Sequence, residues 1–157
     1  MVLEHVAVQR VTTQLRALGA KGDVVELPNA ARTAAQAAEQ LGCEVGAIAN
    51  SLVFSAKGEA ILVMTSGAHR VDVNQLAALL ERGPVERADA DFVRTHTGMP
   101  IGGVAPVGHP EPLRTFVDID LARFTQIWAA AGHPHTVFPT TYAELLRITG
   151  GSAAEVG

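Results

Sequence analysis

Two spacings of apolar residues run along the chain. From Leu3 to Leu18, Val6, Val11, Leu15 and Leu18 recur at near-helical intervals, and Gly19 and Gly22 follow as stops. Asp23–Leu27 is a short β-branched run closed by Pro28, which predicts a strand. Thr33 is placed to cap an Ala-rich helix over Ala34–Leu41, with Gly42 as its terminator. A short helix is predicted from Val45 to about Asn50. Ser51–Ser55 and Ala60–Thr65 then flank Ala56-Lys57-Gly58-Glu59, the clearest hairpin pattern in the chain. Both arms are nearly continuous apolar runs, as expected of strands buried on both faces. Asp72 or a neighbour begins a helix through Leu80, broken by Gly83 and Pro84, and Asp89 or Asp91 caps another ending near Gly98. Phe116–Ile119 and Gln126–Ala130 are predicted strands. Gly132–Pro139 is a turn leading into a further strand, and Thr140 or Thr141 caps a last helix, Tyr142–Ile148. Helices and strands mix without regular βαβ spacing, so the fold class expected is α/β with a mixed sheet curled toward a barrel.

Composition narrows the function. The 157 residues suit a single domain spanning 1–157. At 48% hydrophobic and 18% charged the chain is not a disordered one, and with 4% aromatics its core is aliphatic. Twelve Lys and Arg against sixteen Asp and Glu leave a net charge of −4, opposite in sign to proteins that hold nucleic acid by overall charge. A local basic rim remains compatible with that balance. Cys43 is the one cysteine, which rules out an internal disulfide and a Cys-rich zinc site. It sits after a helix stop with no Cys–His–Asn pattern, the setting of an incidental thiol. No signal-like or membrane-length apolar segment appears, so a cytoplasmic protein without a membrane partner is expected.

The segment Thr97–Pro110 stands apart, with four glycines and three prolines in fourteen residues. Such a stretch predicts a loop of fixed geometry with outward-facing backbone amides, or simply a tight turn between elements. His133-x-His135 and His109 form the one set suggestive of metal ligands, but without a ligand motif a structural role is expected and no metal is assigned. No Gly-x-Ser-x-Gly element marks a serine hydrolase.

In order and spacing, the chain resembles the YbaK/prolyl-tRNA-synthetase-associated domain family. The resemblance runs from about Thr33 to Ile148. It is carried by Thr33-Ala34-Ala35-Gln36-Ala37-Ala38, by Ile48-Ala49-Asn50-Ser51-Leu52-Val53-Phe54, by Ser66-Gly67 followed by Arg70-Val71-Asp72, by Thr97-Gly98, by Gly102-Gly103-Val104-Ala105-Pro106-Val107-Gly108, and by Asp118 and Ala131-Gly132. It implies a curved, partly barrel-like sheet flanked by helices. The implied activity is hydrolysis of the ester joining a wrong, small amino acid to the 3′ adenosine of a tRNA, often proline tRNA, with no cofactor or metal. The implied partners are the aminoacyl-tRNA 3′ end, held transiently, and prolyl-tRNA synthetase; a monomer is expected.

Carried onto single positions, the resemblance makes Gly102 and Gly103 the leading catalytic candidates, since glycines let amide donors approach a tetrahedral oxyanion, with Pro106 fixing the loop. Asn50 stands where most family members have a lysine. It marks a change of specificity, or a replacement of the cation by Arg70 or His69, or a loss of catalysis that leaves a binding module. Ser51 is a candidate for the substrate amine or 2′-hydroxyl, or an ordinary strand-start serine. Ser66, Gly67, His69 and Arg70 follow a buried strand, where a site loop is well positioned; a solvated pair is the alternative for His69 and Arg70. Asp118 is a candidate for binding the α-ammonium group or for general base, or else a capping residue before Leu121. His135 is a candidate for specificity. Three functions stay open: a trans-editing deacylase, a non-catalytic binding module, and a small-molecule esterase.

Overall fold

The predicted hairpin is the centre of the sheet. In the computed structural model, which describes residues 2–157, β2 (Ile48–Ala56) and β3 (Glu59–Ser66) pair antiparallel from Ala49↔Ser66 to Ala56↔Glu59. The turn is tighter than the four residues expected. Only Lys57 and Gly58 lie outside the strands, with φ of 52° and 89°. Positive φ at both central residues is what a two-residue turn needs to follow the twist of its strands.

Around this pair the sheet runs in the order β1–β7–β6–β2–β3–β5–β8. The additional strands are β1 (Val25–Glu26), β4 (Val85–Arg87), β5 (Arg114–Asp118), β6 (Ile127–Ala130), β7 (Thr136–Thr140) and β8 (Ser152–Ala154). β3, β5 and β8 are mutually parallel, as are β2 and β6, whereas β7 is antiparallel to both of its neighbours. The fold is the mixed α/β class expected.

One edge of β2 is divided between two partners. Ile48 and Ala49 pair with Trp128 and Ala129 of β6, while Phe54–Ala56 pair with Val85–Arg87 of β4. Between them Asn50, Ser51 and Leu52 are only half-buried. The expected helix from Val45 to Asn50 is therefore corrected. A 3-10 turn covers Val45–Ala47, and β2 begins at Ile48 because β6 and β3 supply ladder partners that override the local Ala-rich preference.

The helices are α1 (Val6–Ala17), α2 (Ala34–Leu41), α3 (Val73–Leu80), α4 (Ala90–Thr97) and α5 (Tyr142–Thr149). Side chains of Thr33, Asp72, Asp89 and Thr141 accept hydrogen bonds from first-turn amides of the last four. Such caps satisfy donors that the helix itself leaves open. Alternation along β2 and β3 then sorts the core. Ala49, Val53, Leu62 and Met64 pack toward α1, α4 and α5, through Val11, Leu15, Val93, Leu145 and Ile148. On the opposite face Phe54, Ile61 and Val63 meet Leu76 and Leu80 of α3, and Ile48 meets Ala37 and Ala38 of α2. Asn50 and Leu52 share the parity of Ile48 and Phe54, so they lie on this face between the α2 and α3 contacts.

Lys57 is the strained point of the hairpin, since an L-residue with a longer side chain adopts the left-handed region at a cost of about 1–2 kcal/mol. Lys57→Asn is expected to raise unfolding stability by up to about 1 kcal/mol, because Asn tolerates that region. A urea midpoint equal to or below that of the unsubstituted chain would contradict this account of the turn.

Candidate functional site

The divided edge of β2 borders two neighbouring spaces that share part of their walls. The smaller is a cavity of about 40 Å³ whose wall includes Ala34, Ala37, Asn50, Ser51, Gly102 and Trp128. At about 10–15 Å³ for each water-sized group, it takes only a few non-hydrogen atoms. The larger is a cleft of about 680 Å³ that shares Arg32, Thr33, Asn50, Ser51, Gly102 and Val104 with it and continues past Thr65, His69 and Arg70 to Arg87. Asn50 and Gly102 thus stand where the two spaces meet.

Asn50 sits on the rigid central strand, opposite Thr65 of β3. Among the described residues its carboxamide has no hydrogen-bond partner, so its donor and acceptor are free for a ligand. Ser51 also reaches both spaces, although its hydroxyl lies 3.2 Å from the Met64 sulfur, a weak acceptor.

Within the glycine loop, Ile101, Gly102 and Val104 border the spaces, and the neighbouring residues hold them there. Gly102 lines both spaces at φ 89°, and its amide N–H meets no acceptor among the described residues. A Cβ at Gly102 would lie 3.4 Å from the Arg32 Cα. Gly103 differs. Its amide donates to the Pro100 carbonyl at 2.9 Å, and a Cβ there would fall 2.8 Å from the His133 Cα. Gly103 is glycine because two backbones touch, and its amide is already used in a turn. Pro106 is buried together with Val104, Ala105 and Val107, so the expectation that this whole segment faces outward is corrected: the stretch after Gly103 is core. His109 braces it from within, its Nε2 donating to the Ala105 carbonyl at 2.7 Å. Burial holds the His109 imidazole below its usual range, with that hydrogen bond acting in the opposite direction.

Asp118 proves to be an anchor. It is 1% exposed and lines neither space. Its Oδ2 accepts from the Ser66 amide at 2.9 Å, from the Thr65 hydroxyl at 3.2 Å and from the Nε2 of His69, and its Oδ1 accepts from the Asp120 amide at 3.0 Å. The last bond caps a 3-10 turn over Ile119–Arg123. Asp118 therefore ties β3 and β5 together and fixes the ring of His69, which does line the cleft. Burial pushes the Asp118 carboxyl up, but the hydrogen bonds from His69, Ser66 and Asp120 and the nearby imidazole charge outweigh it, so the net shift is downward. His69, Asp118 and Asp120 also present ligand atoms within 4.8 Å of one another, yet four donors already occupy the Asp118 oxygens.

Ser66 is buried, and its hydroxyl donates to the Gly46 carbonyl at 2.8 Å. Gly67 does line the cleft, but a Cβ there would lie 2.5 Å from the Val45 carbonyl oxygen, so close packing alone demands glycine. His135 lies away from both spaces, with its Nδ1 3.4 Å from the Leu27 carbonyl oxygen and its ring 5.5 Å from that of His133. His133 is held below its usual range by burial and by the neighbouring His135, His5 and Arg32. Burial pushes the Cys43 thiol up, which keeps it protonated and unreactive. Of the expected site residues, the structure brings together Asn50, Ser51, Gly67, His69, Arg70 and Gly102. It places Gly103, Ser66, Pro106, Asp118 and His135 behind or beside them. Arg32, Trp128 and Arg87 line the spaces without having carried any motif.

The depressed Asp118 pKa has a stability consequence. A carboxyl more acidic folded than unfolded stabilises the fold above the usual carboxylate range near pH 4, and the contribution is lost as pH falls through the folded value. Unfolding free energy should therefore rise between about pH 3 and pH 5. Asp118→Asn is expected to flatten that rise in chemical denaturation, whereas parallel curves would mean that Asp118 titrates alike in the folded and unfolded chain.

Comparison with known proteins places this geometry. Residues 28–148 match the family described as aminoacyl-tRNA editing domain. A crystal structure of a candidate trans-editing enzyme for prolyl-tRNA synthetase superposes with a TM-score of 0.90 at 41% identity, covering 96% of each chain. YwhH of Bacillus subtilis (strain 168), an uncharacterised protein, is 29% identical over 140 residues, 88% of each chain. The proline–tRNA ligase of Elusimicrobium minutum (strain Pei191) is 31% identical over 101 residues, which are 62% of this chain and 18% of the ligase. With the family match extending over most of its length and over the strand and loop that form the two spaces, the chain belongs to the aminoacyl-tRNA editing domain family.

Proposed function

We propose that this protein is a trans-acting deacylase that hydrolyses the ester between a small amino acid and the 3′ end of a tRNA, with proline tRNA as the leading carrier. The observation that carries this reading is a 40 Å³ cavity beside a 680 Å³ cleft, with Gly102 in the wall of both. The cavity is of a size for a small side chain, and the cleft is of a size for the nucleotide that bears it. Rejection of larger amino acids follows from exclusion, as in a second sieve.

Among the described residues, the cavity wall carries no carboxylate, histidine or cysteine, and its hydroxyls are those of Thr33, Ser51 and Thr136. Attack is assigned to water, assisted by the vicinal hydroxyl of the terminal ribose. The water oxygen bonds to the ester carbonyl carbon, the bond from that carbon to the ribose oxygen breaks, and the ribose oxygen leaves as a hydroxyl with the proton released by the water. The free Gly102 amide is the donor for the oxyanion formed between these steps, a contribution of about 3–4 kcal/mol where such donors have been removed elsewhere. Asn50 orients the ester through its unpaired carboxamide and brings no charge.

Asn50 also supports a second reading, a non-catalytic module that recognises the aminoacyl-tRNA end. A deacylation panel separates the two. Proline tRNA charged with proline, alanine, serine, cysteine or 2-aminobutyrate is incubated with the protein beside alanine, serine and threonine tRNAs. Loss of one small residue with prolyl-tRNA spared is expected. Ester stability across the whole panel, also with Asn50→Lys, would reject the deacylase in favour of the binding module or a small-molecule esterase.

The oxyanion assignment has its own test. Gly102→Val is expected to lower deacylation at least a hundredfold while the chain stays folded by circular dichroism. Retained activity in the folded variant would remove Gly102 from the reaction.

A further inference from the structure

The large cleft has an electrostatic character that the chain as a whole lacks. Its wall carries three arginines, Arg32, Arg70 and Arg87, and no aspartate or glutamate, in a protein of net charge −4. They come from three separate places in the fold: the residue before the α2 cap, the loop leaving β3, and the end of β4. All three are exposed, and among the described residues none is in an ion pair; Arg82 and Arg147, by contrast, meet Glu59 and Glu144. The Arg87 guanidinium is steadied over the Phe54 ring, 5.8 Å from its centroid.

The rest of the wall is of a different kind. Ile101, 46% exposed, and Val73, 37% exposed, both border the cleft. A lone inorganic anion would use the guanidinium groups and leave these apolar surfaces wet. A short nucleotide chain uses both, with phosphates on the arginines and sugars and bases on the valine and isoleucine.

We infer that Arg32, Arg70 and Arg87 form a phosphodiester track that holds the last nucleotides of a single-stranded RNA end while its terminal residue reaches the small cavity. This assignment rests on the deacylase reading for the direction of the chain, but the track itself is a binding property measurable without turnover. It extends recognition from the terminal adenosine to the linkages before it, and it gives Arg87 and Arg32 roles that no motif indicated. An acidic protein then handles RNA through one local patch, with the remaining surface repelling the tRNA body.

The test uses a fluorescein-labelled CCA trinucleotide and anisotropy titrations from 50 to about 300 mM salt. Single-stranded contacts release about 0.7 counterion per phosphate neutralised, so binding is expected to weaken with salt, with a log–log slope near −1 to −2. Arg70→Ala and Arg87→Ala should each weaken binding about tenfold or more and make the slope shallower, whereas Arg82→Ala, which lies outside the cleft, should do neither. Circular dichroism confirms that each variant is folded. Inorganic pyrophosphate is the competing arm: displacement only at far higher concentration than unlabelled CCA supports a nucleotide track.

No binding by the unsubstituted protein, a salt-independent affinity, equal effects of Arg82→Ala and the cleft variants, or pyrophosphate competing as well as CCA would each overturn the inference. Binding that follows the expected pattern in a protein that deacylates nothing would sustain the track and reject the deacylase. Deacylation with unaltered CCA affinity in Arg70→Ala and Arg87→Ala would do the reverse.

Discussion

The sharing of one strand edge between two partners is the constraint on which the site depends. β2 pairs with β6 at Ile48 and Ala49 and with β4 from Phe54 onward, and neither partner's register covers Asn50–Val53. A buried strand edge normally has to be paired, since unpaired backbone amides and carbonyls are costly away from water. Here the interval at Asn50–Leu52 is left open to solvent instead, and the helices obey the same division. α2 packs beside Ile48 and α3 beside Phe54, on the same face, and Asn50 between them lines the two spaces. A gap in the ladder and a gap in the helical layer coincide, and the cleft is their intersection.

Rigidity around that gap comes from groups that never meet a ligand. Asp118 gathers donors from Thr65, Ser66, His69 and Asp120, so the end of β3, the start of its following loop and the end of β5 move as one unit. On the other wall the backbone of His133 presses on Gly103, and His109 holds the Ala105 carbonyl. Gly102 is left at a positive φ where the loop, with Val104, borders the cavity. Positioning of this kind is what electrostatic catalysis requires, since donors fixed in advance need not reorganise as charge develops.

Much of this was legible in the chain. The hairpin stood out because two apolar runs flank a Lys-Gly turn, and Thr33, Asp72, Asp89 and Thr141 cap helices as their side chains suggest. β4 and β8 were not legible. Val85-Glu86-Arg87 and Ser152-Ala153-Ala154 are three-residue pieces without an alternating pattern, made strands only by the longer strands they join. The same tertiary override turned Ile48–Asn50 from helix to strand. At the site, the family resemblance pointed to Gly102 and Asn50, and the loop after a buried strand to Arg70, but a motif cannot say which of its members touches a ligand. Gly102 and Gly103 are adjacent and alike in sequence, yet one faces a cavity and the other a neighbouring backbone. Arg32, Arg87 and Trp128 become neighbours of the site only through long-range pairing, and nothing local marks them.

The absence of charge at Asn50 takes on meaning from this arrangement. A cation on β2 would stand at the junction of cavity and cleft, close to the ester itself. Here Arg70 and Arg87 carry positive charge in the cleft but not in the cavity wall, on exposed side chains in no ion pair among the described residues, while Arg32 borders both spaces. Attraction for an anionic chain falls off within about a Debye length, near 8–10 Å at ordinary ionic strength, so moving the charge outward favours capture of the backbone over polarisation of the carbonyl. In the proposed reaction the neutral donors at this junction are the Gly102 amide and the Asn50 carboxamide, in an alanine-rich wall that Arg32 also borders. In the proposed function, Arg70 and Arg87 then set how tightly the RNA end is held, and the junction at Asn50 and Gly102 sets which amino acid is released from it.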